Sequence, residues 1–372
     1  MAFHVRRLMA LASIALLPLL GCSLGPAALK GNRYQYNLSV QKSNSEELLV
    51  NLVRAKYLEP LFFLQVGAIS SSFNYEMAVG AEATFFDKDK APTGPFWTSR
   101  ATAGIAERPT ISYTPVQGEM VAKHFLEEIS IERFLLLTRA GWSIEALIWV
   151  MVNRMGDLEN FNPSDAGGQN YSGFLRAARI LRSIQERGDM EIGTLGKEGK
   201  GLVQMRFVDS REANELEDLL GVRPERVSSP DGRPIYAITL TTVRDLAAGA
   251  KRERGYAEVP LKLKSYFEVL YDLAWSVDCP PDDIDGGVVL KPSTLPDDLA
   301  SRRGPHAGLL RVQFSNMHPG PAYVSVPYRG LWFYISDGDT RSKLFFRLLG
   351  YLFSLQAGEI QPVQPLLTLP VR

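Results

Sequence analysis

The sequence predicts an α+β fold, on three observations. Apolar residues alternate strictly with polar or small ones over residues 73–85, as in a strand with one apolar face. Elsewhere they recur at intervals of three and four, as in amphipathic helices. A hairpin is followed by helices in the first half of the chain, and past residue 200 strands and helices mix, which is an α+β pattern. At 372 residues and 45% apolar composition the chain can bury a core and has room for two domains. Lys+Arg and Asp+Glu are both 41, so no net field favours nucleic acid. With 2 cysteines there is neither a disulfide scaffold nor a Cys-rich zinc module.

The N-terminus reads as an address rather than as part of the fold. Arg6 and Arg7 give a positive start, and Leu8 to Leu20 an apolar run too short to span a bilayer comfortably. It closes on Leu19, Leu20, Gly21 and Cys22. This resembles the lipobox of bacterial lipoproteins, in which a dedicated peptidase cuts before the cysteine. The resemblance implies a signal peptide over 1–21 and a Cys22 that carries acyl chains on its thiol and its new amino group. Each buried methylene contributes about 0.8 kcal/mol, so three chains anchor durably. Leu20 is bulkier than is usual at that place in the family. Ser23, in a position where Asp tends to retain such proteins at the inner membrane, points to the outer membrane. No other run of about 18 apolar residues occurs, so no transmembrane helix is expected.

Residues 22–35, with Gly25, Pro26, Gly31 and Asn32, read as a lipidated tether. Ser43-x-x-Glu46 has the form of a capping box and opens a helix bearing Leu48, Leu49, Leu52 and Val53. Phe73, Tyr75, Met77, Val79, Ala81, Ala83 and Phe85 then mark the clearest strand. Ala101, Ala103 and Ile105 mark its return, making a long β-hairpin. Ile144, Leu147, Ile148, Met151, Val152 and Met155 predict one helix, and Phe174 to Ile184 another. The glycines at 193, 196, 199 and 201 mark a boundary between a hairpin and helical domain, 36–190, and an α+β domain, 200–372. In the second, strands are expected at 203–207 and 236–240 and helices from Ser210 to Leu220 and from Tyr266 to Val277. Residues 278–306 read as a long loop, followed by a three-stranded meander (309–315, 322–328, 331–336) and a helix capped by Asp337 or Asp339.

Two further stretches, Arg108-Pro-Thr-Ile-Ser-Tyr-Thr-Pro-Val-Gln-Gly-Glu119 with Gly141-Trp142, and Tyr328 to Asp337 running into Arg341-Ser-Lys343, resemble a group of uncharacterised proteobacterial envelope lipoproteins. The resemblance implies an envelope lipoprotein along the whole chain and transfers no catalytic residue.

Catalytic signatures are missing from the sequence. His124, His306 and His318 have neither metal-ligand spacing nor a neighbouring thiol. Asp282-Asp283-Ile284-Asp285-Gly286 fails as a calcium loop because Pro281 falls at the first ligand position. Gly193 to Gly201 is no phosphate loop, and Ser39-x-x-Lys42 lacks the companion signatures of penicillin-binding enzymes. Arg176, Arg179 and Arg182 on one helix could meet lipid phosphates, and Tyr323, Tyr328, Trp332, Phe333 and Tyr334 could stack on a glycan; a solvated face and a packed sheet are the plainer readings. Cys279 reads as a buried structural cysteine.

The expectation is therefore an outer-membrane-anchored lipoprotein with a periplasmic body and a structural or assembly role. It is not expected to be an enzyme or to hold a cofactor or metal. Its partners are the membrane and an envelope protein or further copies of itself, not nucleic acid. Two alternatives stand beside it. One is a homo-oligomeric outer-membrane pore built from hairpins 73–106, since a transmembrane strand needs about 9–11 residues with one apolar face. The other is an enzyme on envelope glycans or peptides.

Overall fold

A computed structural model describes residues 24–83, 97–116, 119–161, 171–194, 203–208, 211–222, 225–228, 234–242, 258–289 and 309–357. The fold is α+β, with a long hairpin, helices, and a C-terminal three-stranded sheet followed by a helix. The chain divides into two units, one of Met1–Leu61 with Gln117–Ile360 and one of Phe62–Val116 with Gln361–Arg372.

The first unit opens with helix α1, Leu24–Lys56. It starts at Leu24, not at Ser43, so the expected tether is largely helical and the expected capping box lies inside the helix. The reason is local. Pro26 sits in the first turn, where its missing N–H is no loss. A glycine costs at most about 1 kcal/mol once a helix is propagating. Leu48, Leu49, Leu52 and Val53 are buried, as their spacing predicts.

The end of α1 is strained. Leu58 has a φ of 58°, in the left-handed region. Its N–H donates to the Ala55 carbonyl at 3.2 Å, and that of Glu59 to Arg54 at 2.9 Å. Glycine normally holds such a position. Leu58 is 61% exposed, so little packing is lost on truncation. Leu58→Gly should raise stability by about 0.5–1 kcal/mol, seen as a higher urea midpoint at unchanged slope. A lower midpoint would mean that the leucine side chain contributes more than its backbone costs.

The second unit is the hairpin of β1 (Leu64–Ala83) and β2 (Trp97–Pro115). The first unit resumes with α2 (Glu119–Leu126), α3 (Ile131–Arg139) and α4 (Ile144–Met151). The helix expected to reach Met155 stops at Met151, and Val152–Met155 is strand β3. Apolar residues at 151, 152 and 155 fit either continuation. Pairing of Val152 with Leu263 decides for the strand, and Gly156, at φ 60°, turns it into β4 (Leu158–Glu159).

Helix α5 (Tyr171–Glu186), β5 (Met190–Thr194), β6 (Val203–Val208), α6 (Arg211–Leu220), β7 (Glu225–Ser228), β8 (Pro234–Thr242) and β9 (Glu258–Leu263) follow. The large sheet runs β4-β3-β9-β8-β6-β5, with β7 also on β8; β8 and β9 are parallel and the other pairs antiparallel. Met205, Phe207, Tyr236, Ile238, Leu240, Val259 and Leu261 are buried on it. This corrects the expected division of the body near residues 190–200. Strand β3 comes from before that point and pairs with β9 from after it, so one sheet spans the proposed boundary. The glycine-rich stretch lies between paired strands of a single sheet.

Helix α7 (Tyr266–Ala274) begins at a capping box: the Glu268 N–H donates to Ser265 Oγ at 3.2 Å and the Ser265 N–H to Glu268 Oε2 at 2.7 Å. Helix α8 (Pro281–Asp285) interrupts the expected loop, because Pro281 takes the first helical position and Asp282 and Asp283 suit a positive N-terminal turn. Strands β10 (Gln313–Ser315), β11 (Ala322–Tyr328) and β12 (Leu331–Ser336) precede α9 (Thr340–Ala357). They do not form a meander. The order is β10-β12-β11, with the last strand in the middle. Arg329 (φ 50°) and Gly330 (φ 81°) form the two-residue turn whose mirror-image geometry suits a tight hairpin, which fixes β11 beside β12. The short β10 then takes the remaining edge. Asp339 caps α9, accepting from the Ser342 N–H at 2.9 Å. Burial alone would raise the Asp339 pKa. The Ser342 hydroxyl and N–H, the Arg341 N–H and the Arg311 charge together hold it below the ordinary value.

Helix α1 packs on β11 and α7. Phe125, Tyr266 and Phe353 join α2, α7 and α9 through ring separations of 5.2, 5.6 and 5.8 Å.

Candidate functional site: the long hairpin

Among the described residues, β1 and β2 pair with each other alone and form a two-stranded sheet. They have 20 and 19 residues, where the sequence pattern showed only the stretch from Phe73. At ~3.3 Å per residue, β1 extends about 65 Å, far beyond an ordinary globular strand. The base is closed by the Val116 N–H donating to the Phe63 carbonyl at 2.9 Å, and a register shift lies between Val66 and Ala68. Pro109 is tolerated because a strand with only one neighbour leaves some N–H groups unpaired anyway.

The register gives the two phases their partners. Phe73, Tyr75, Met77, Val79, Ala81 and Ala83 pair with Glu107, Ile105, Ala103, Ala101, Ser99 and Trp97. The intervening rows pair Asn74 with Ala106, Glu76 with Gly104, Ala78 with Thr102, Gly80 with Arg100 and Glu82 with Thr98. The apolar phase expected from the sequence thus meets small or apolar residues on β2 from Trp97 to Ile105, with the charged Glu107 opposite Phe73 at its end, and the other phase is polar or small on both strands. Ten residue steps separate Phe73 from Ala83, a length of about 33 Å, or about 25 Å along the axis of a barrel whose strands tilt by ~40°. That is the height of the apolar band of an outer-membrane barrel, with aromatic positions 73, 75 and 97 at its two ends. Phe85, and the lipobox residues Leu19, Leu20, Gly21 and Cys22, lie outside the described residues.

Sequence reasoning missed residues 64–72 and 107–115 of the hairpin. Ser70-Ser71-Ser72 has no alternation, and Arg108-Pro109 looks like a break. Trp97 gave no signal of its own until the register set it opposite Ala83.

The body offers less chemistry. Arg176 is held by Glu215 through bonds of 2.6 and 2.8 Å, and Arg182 by Glu186 at 2.8 Å, so two members of the basic helix face have acidic partners within the chain. Of the sheet aromatics, Phe333 is fully buried and Tyr323 stands edge-on to Phe346, with ring centres 6.2 Å apart. His318 lies 4.4 Å from the Trp332 ring, and His124 is on α2.

Cys279 is buried, and burial pushes its thiol up to about 11. It is thus a protonated thiol at neutral pH, not a nucleophile. Beside it, burial lowers the pKa of Lys56, whose ammonium stands 4.9 Å from the Trp275 ring centre. Tyr57 donates to Asp283 Oδ2 at 2.6 Å, and desolvation with that bond raises its pKa strongly. A second buried ammonium, Lys264, lies 2.6 Å from Asp272 Oδ2 but outside hydrogen-bond geometry, so their attraction is chiefly coulombic. Open grooves lie among the described residues. One of about 590 Å³ lies between Trp142, Arg182, Arg347 and Tyr351, and one of about 500 Å³ between α1 and β11. Among the described residues, no group of three His, Cys, Asp or Glu side chains could hold a metal ion, and no helix is long and apolar enough to cross a membrane.

Comparison with protein-family models, with curated proteins and with solved structures finds no match to this chain.

Proposed function

We propose that this chain is a lipid-anchored outer-membrane protein with a non-enzymatic role in assembly, and that copies of it associate and pool their hairpins into one transmembrane β-barrel. The observation that carries the reading is the two-stranded sheet of 20- and 19-residue strands. An isolated ribbon of this length is marginal in water and leaves two edges of N–H and C=O groups without ladder partners. In lipid those edges must be satisfied, and only closure into a barrel does so. Two strands per copy give an even count, and eight or nine copies would reach the ~16–18 strands that leave an aqueous channel. The lipobox-like Leu19-Leu20-Gly21-Cys22 supports placement at the membrane before insertion.

The test is the mass of the detergent-extracted, lipidated protein in solution, followed by conductance across a planar bilayer. A discrete high-order oligomer that conducts is expected. A monomer without conductance would overturn the pore and leave a tethered module. The anchor is tested separately by intact mass: the purified chain should begin at Cys22 and carry the mass of its acyl chains, and Cys22→Ser should lack them. A wild-type mass without acyl chains would sink the lipidation reading.

A further inference from the structure

We propose that the groove of about 590 Å³ in the body binds a fatty-acid-like anion, one hydrocarbon tail with a carboxylate head, and that Arg347 holds the head. The inference is independent of the hairpin and of the pore reading. Every described wall of the groove belongs to the first unit: the end of α3, the loop that leads to α4, Arg182 of α5 and one face of α9. Its volume is that of an ordinary small-molecule site.

The groove's loop is built to stay where it is. Gly141, at φ 87°, turns the chain at the end of α3. The N–H groups of Ala140, Gly141 and Trp142 donate back to Leu136, Thr138 and Leu137 at 2.9, 3.1 and 3.1 Å. From α5, Gln185 Oε1 accepts from the Ile144 N–H at 2.9 Å and its amide donates to the Trp142 carbonyl at 3.0 Å. These backbone groups are spent within the chain, so they offer an extended peptide no ladder to join. What the groove does offer is apolar side-chain surface. Leu344, Arg347, Tyr351 and Leu355 recur on α9 at intervals of three and four, a stripe about 16 Å long. Leu136 and Leu137 face the groove from α3, and Trp142 meets Tyr351 edge-on with ring centres 5.8 Å apart. Leu136 is 54% and Tyr351 50% exposed, so apolar surface lies open to water there. A hydrocarbon tail covers such a surface without needing any hydrogen bond.

Charge complementarity supplies the head. Among the described residues, two arginines line the groove and no acidic residue does. Arg182 is engaged: it lies 2.8 Å from Glu186 and donates to Gln185 Oε1 at 3.0 Å. Arg347 instead lies over the Trp142 ring, 5.2 Å from its centre, and no described carboxylate pairs with it. A guanidinium resting on an aromatic face keeps the N–H groups of its edge for a ligand, and its planar fork fits a carboxylate through two bonds. A fatty acid meets both features at once. Free phosphate meets only the head site, and a neutral detergent only the apolar stripe.

The probe is dodecanoate carrying a photoreactive diazirine, irradiated with the full-length protein in an alkyl maltoside, with the labelled peptides located by mass spectrometry. The uncharged detergent competes for any merely apolar surface, so label above that background reads the head as well as the tail. Label is expected in the peptides that hold residues 136–143 and 344–355. Unlabelled dodecanoate should displace it, and acetate or inorganic phosphate at the same concentration should not. Arg347→Gln should weaken labelling about tenfold, the loss of a charged hydrogen-bond partner, with the thermal transition unchanged. Arg347→Lys should recover part of that loss, and Arg182→Gln should have a smaller effect, because Glu186 already engages that guanidinium. Label spread evenly along the chain, or equal labelling of wild type and Arg347→Gln, would overturn the inference. So would displacement by inorganic phosphate alone, which would make the groove an anion site without a tail. A second protein chain crosslinked across the groove in place of the probe would make it a protein interface and overturn it too.

Discussion

Val79→Arg should leave the body folded and abolish insertion of the hairpin. Position 79 lies midway between Tyr75 and Ala83 in the apolar phase, opposite Ala101. In the proposed barrel it faces the bilayer midplane, where an arginine costs about 2–4 kcal/mol. A ring repeats that cost once per copy, so even eight copies at the low end far exceed any single compensating contact. Ala78→Arg is the matched control, one residue away and in the opposite phase. It should insert and conduct, through a narrower pore. Insertion is read by conductance and by protection of the hairpin from protease rather than by membrane fractionation, because the proposed lipid anchor would hold the protein at the membrane either way. The thermal transition of the body should be unchanged, since the hairpin is a unit apart. Wild-type conductance from Val79→Arg would remove the hairpin from the membrane altogether.

Asp272→Ala should destabilise the body by about 3–5 kcal/mol, the usual cost of leaving a buried charge without its partner. Lys264 is 3% exposed, and its ammonium lies 2.6 Å from Asp272 Oδ2. Its backbone sits where elements meet: its N–H donates to the Met151 carbonyl at 2.7 Å, and its carbonyl accepts from the Ile129 N–H at 3.0 Å. Those bonds fix the Lys264 backbone between the end of α4 and the residues that precede α3. Because the pair is coulombic rather than well hydrogen-bonded, its own net contribution is small. The double variant Lys264→Met with Asp272→Leu should recover most of the loss, as apolar replacements of buried ion pairs often do. Urea unfolding of the four chains gives the coupling directly. A single-variant loss below about 1 kcal/mol would show that the ammonium finds water.

Particular residues show where the fold was legible. The stripes Leu48 to Val53, Phe174 to Ile184 and Leu344 to Phe353 each mark one buried helical face, and each is a helix. Residues 151–155 were illegible because a helix and a strand bury the same positions there, and only the distant partner Leu263 separates them. The helical run from Leu24 was hidden by glycine and proline, which are strong punctuation in general and weak in a first turn. Half of the hairpin was hidden for the opposite reason. Its lower half carries Ser70-Ser71-Ser72 and Arg108-Pro109 in place of an alternating pattern. Of the candidate site, one phase of one strand was readable in advance. The partner phase depends on register, which no single strand encodes.

The interleaving of β3 with β9 bears on how the body comes into being. A chain made from its N-terminus has both hairpin strands complete by residue 115, and they can pair at once because their contacts are local. The large sheet must wait until β9, ending at Leu263, has emerged, because β9 lies between β3 and β8. During that interval the apolar ribbon exists without a finished body. Its strand edges are open to wrong pairings for that whole time, which is set by the roughly 150 residues that separate the two events.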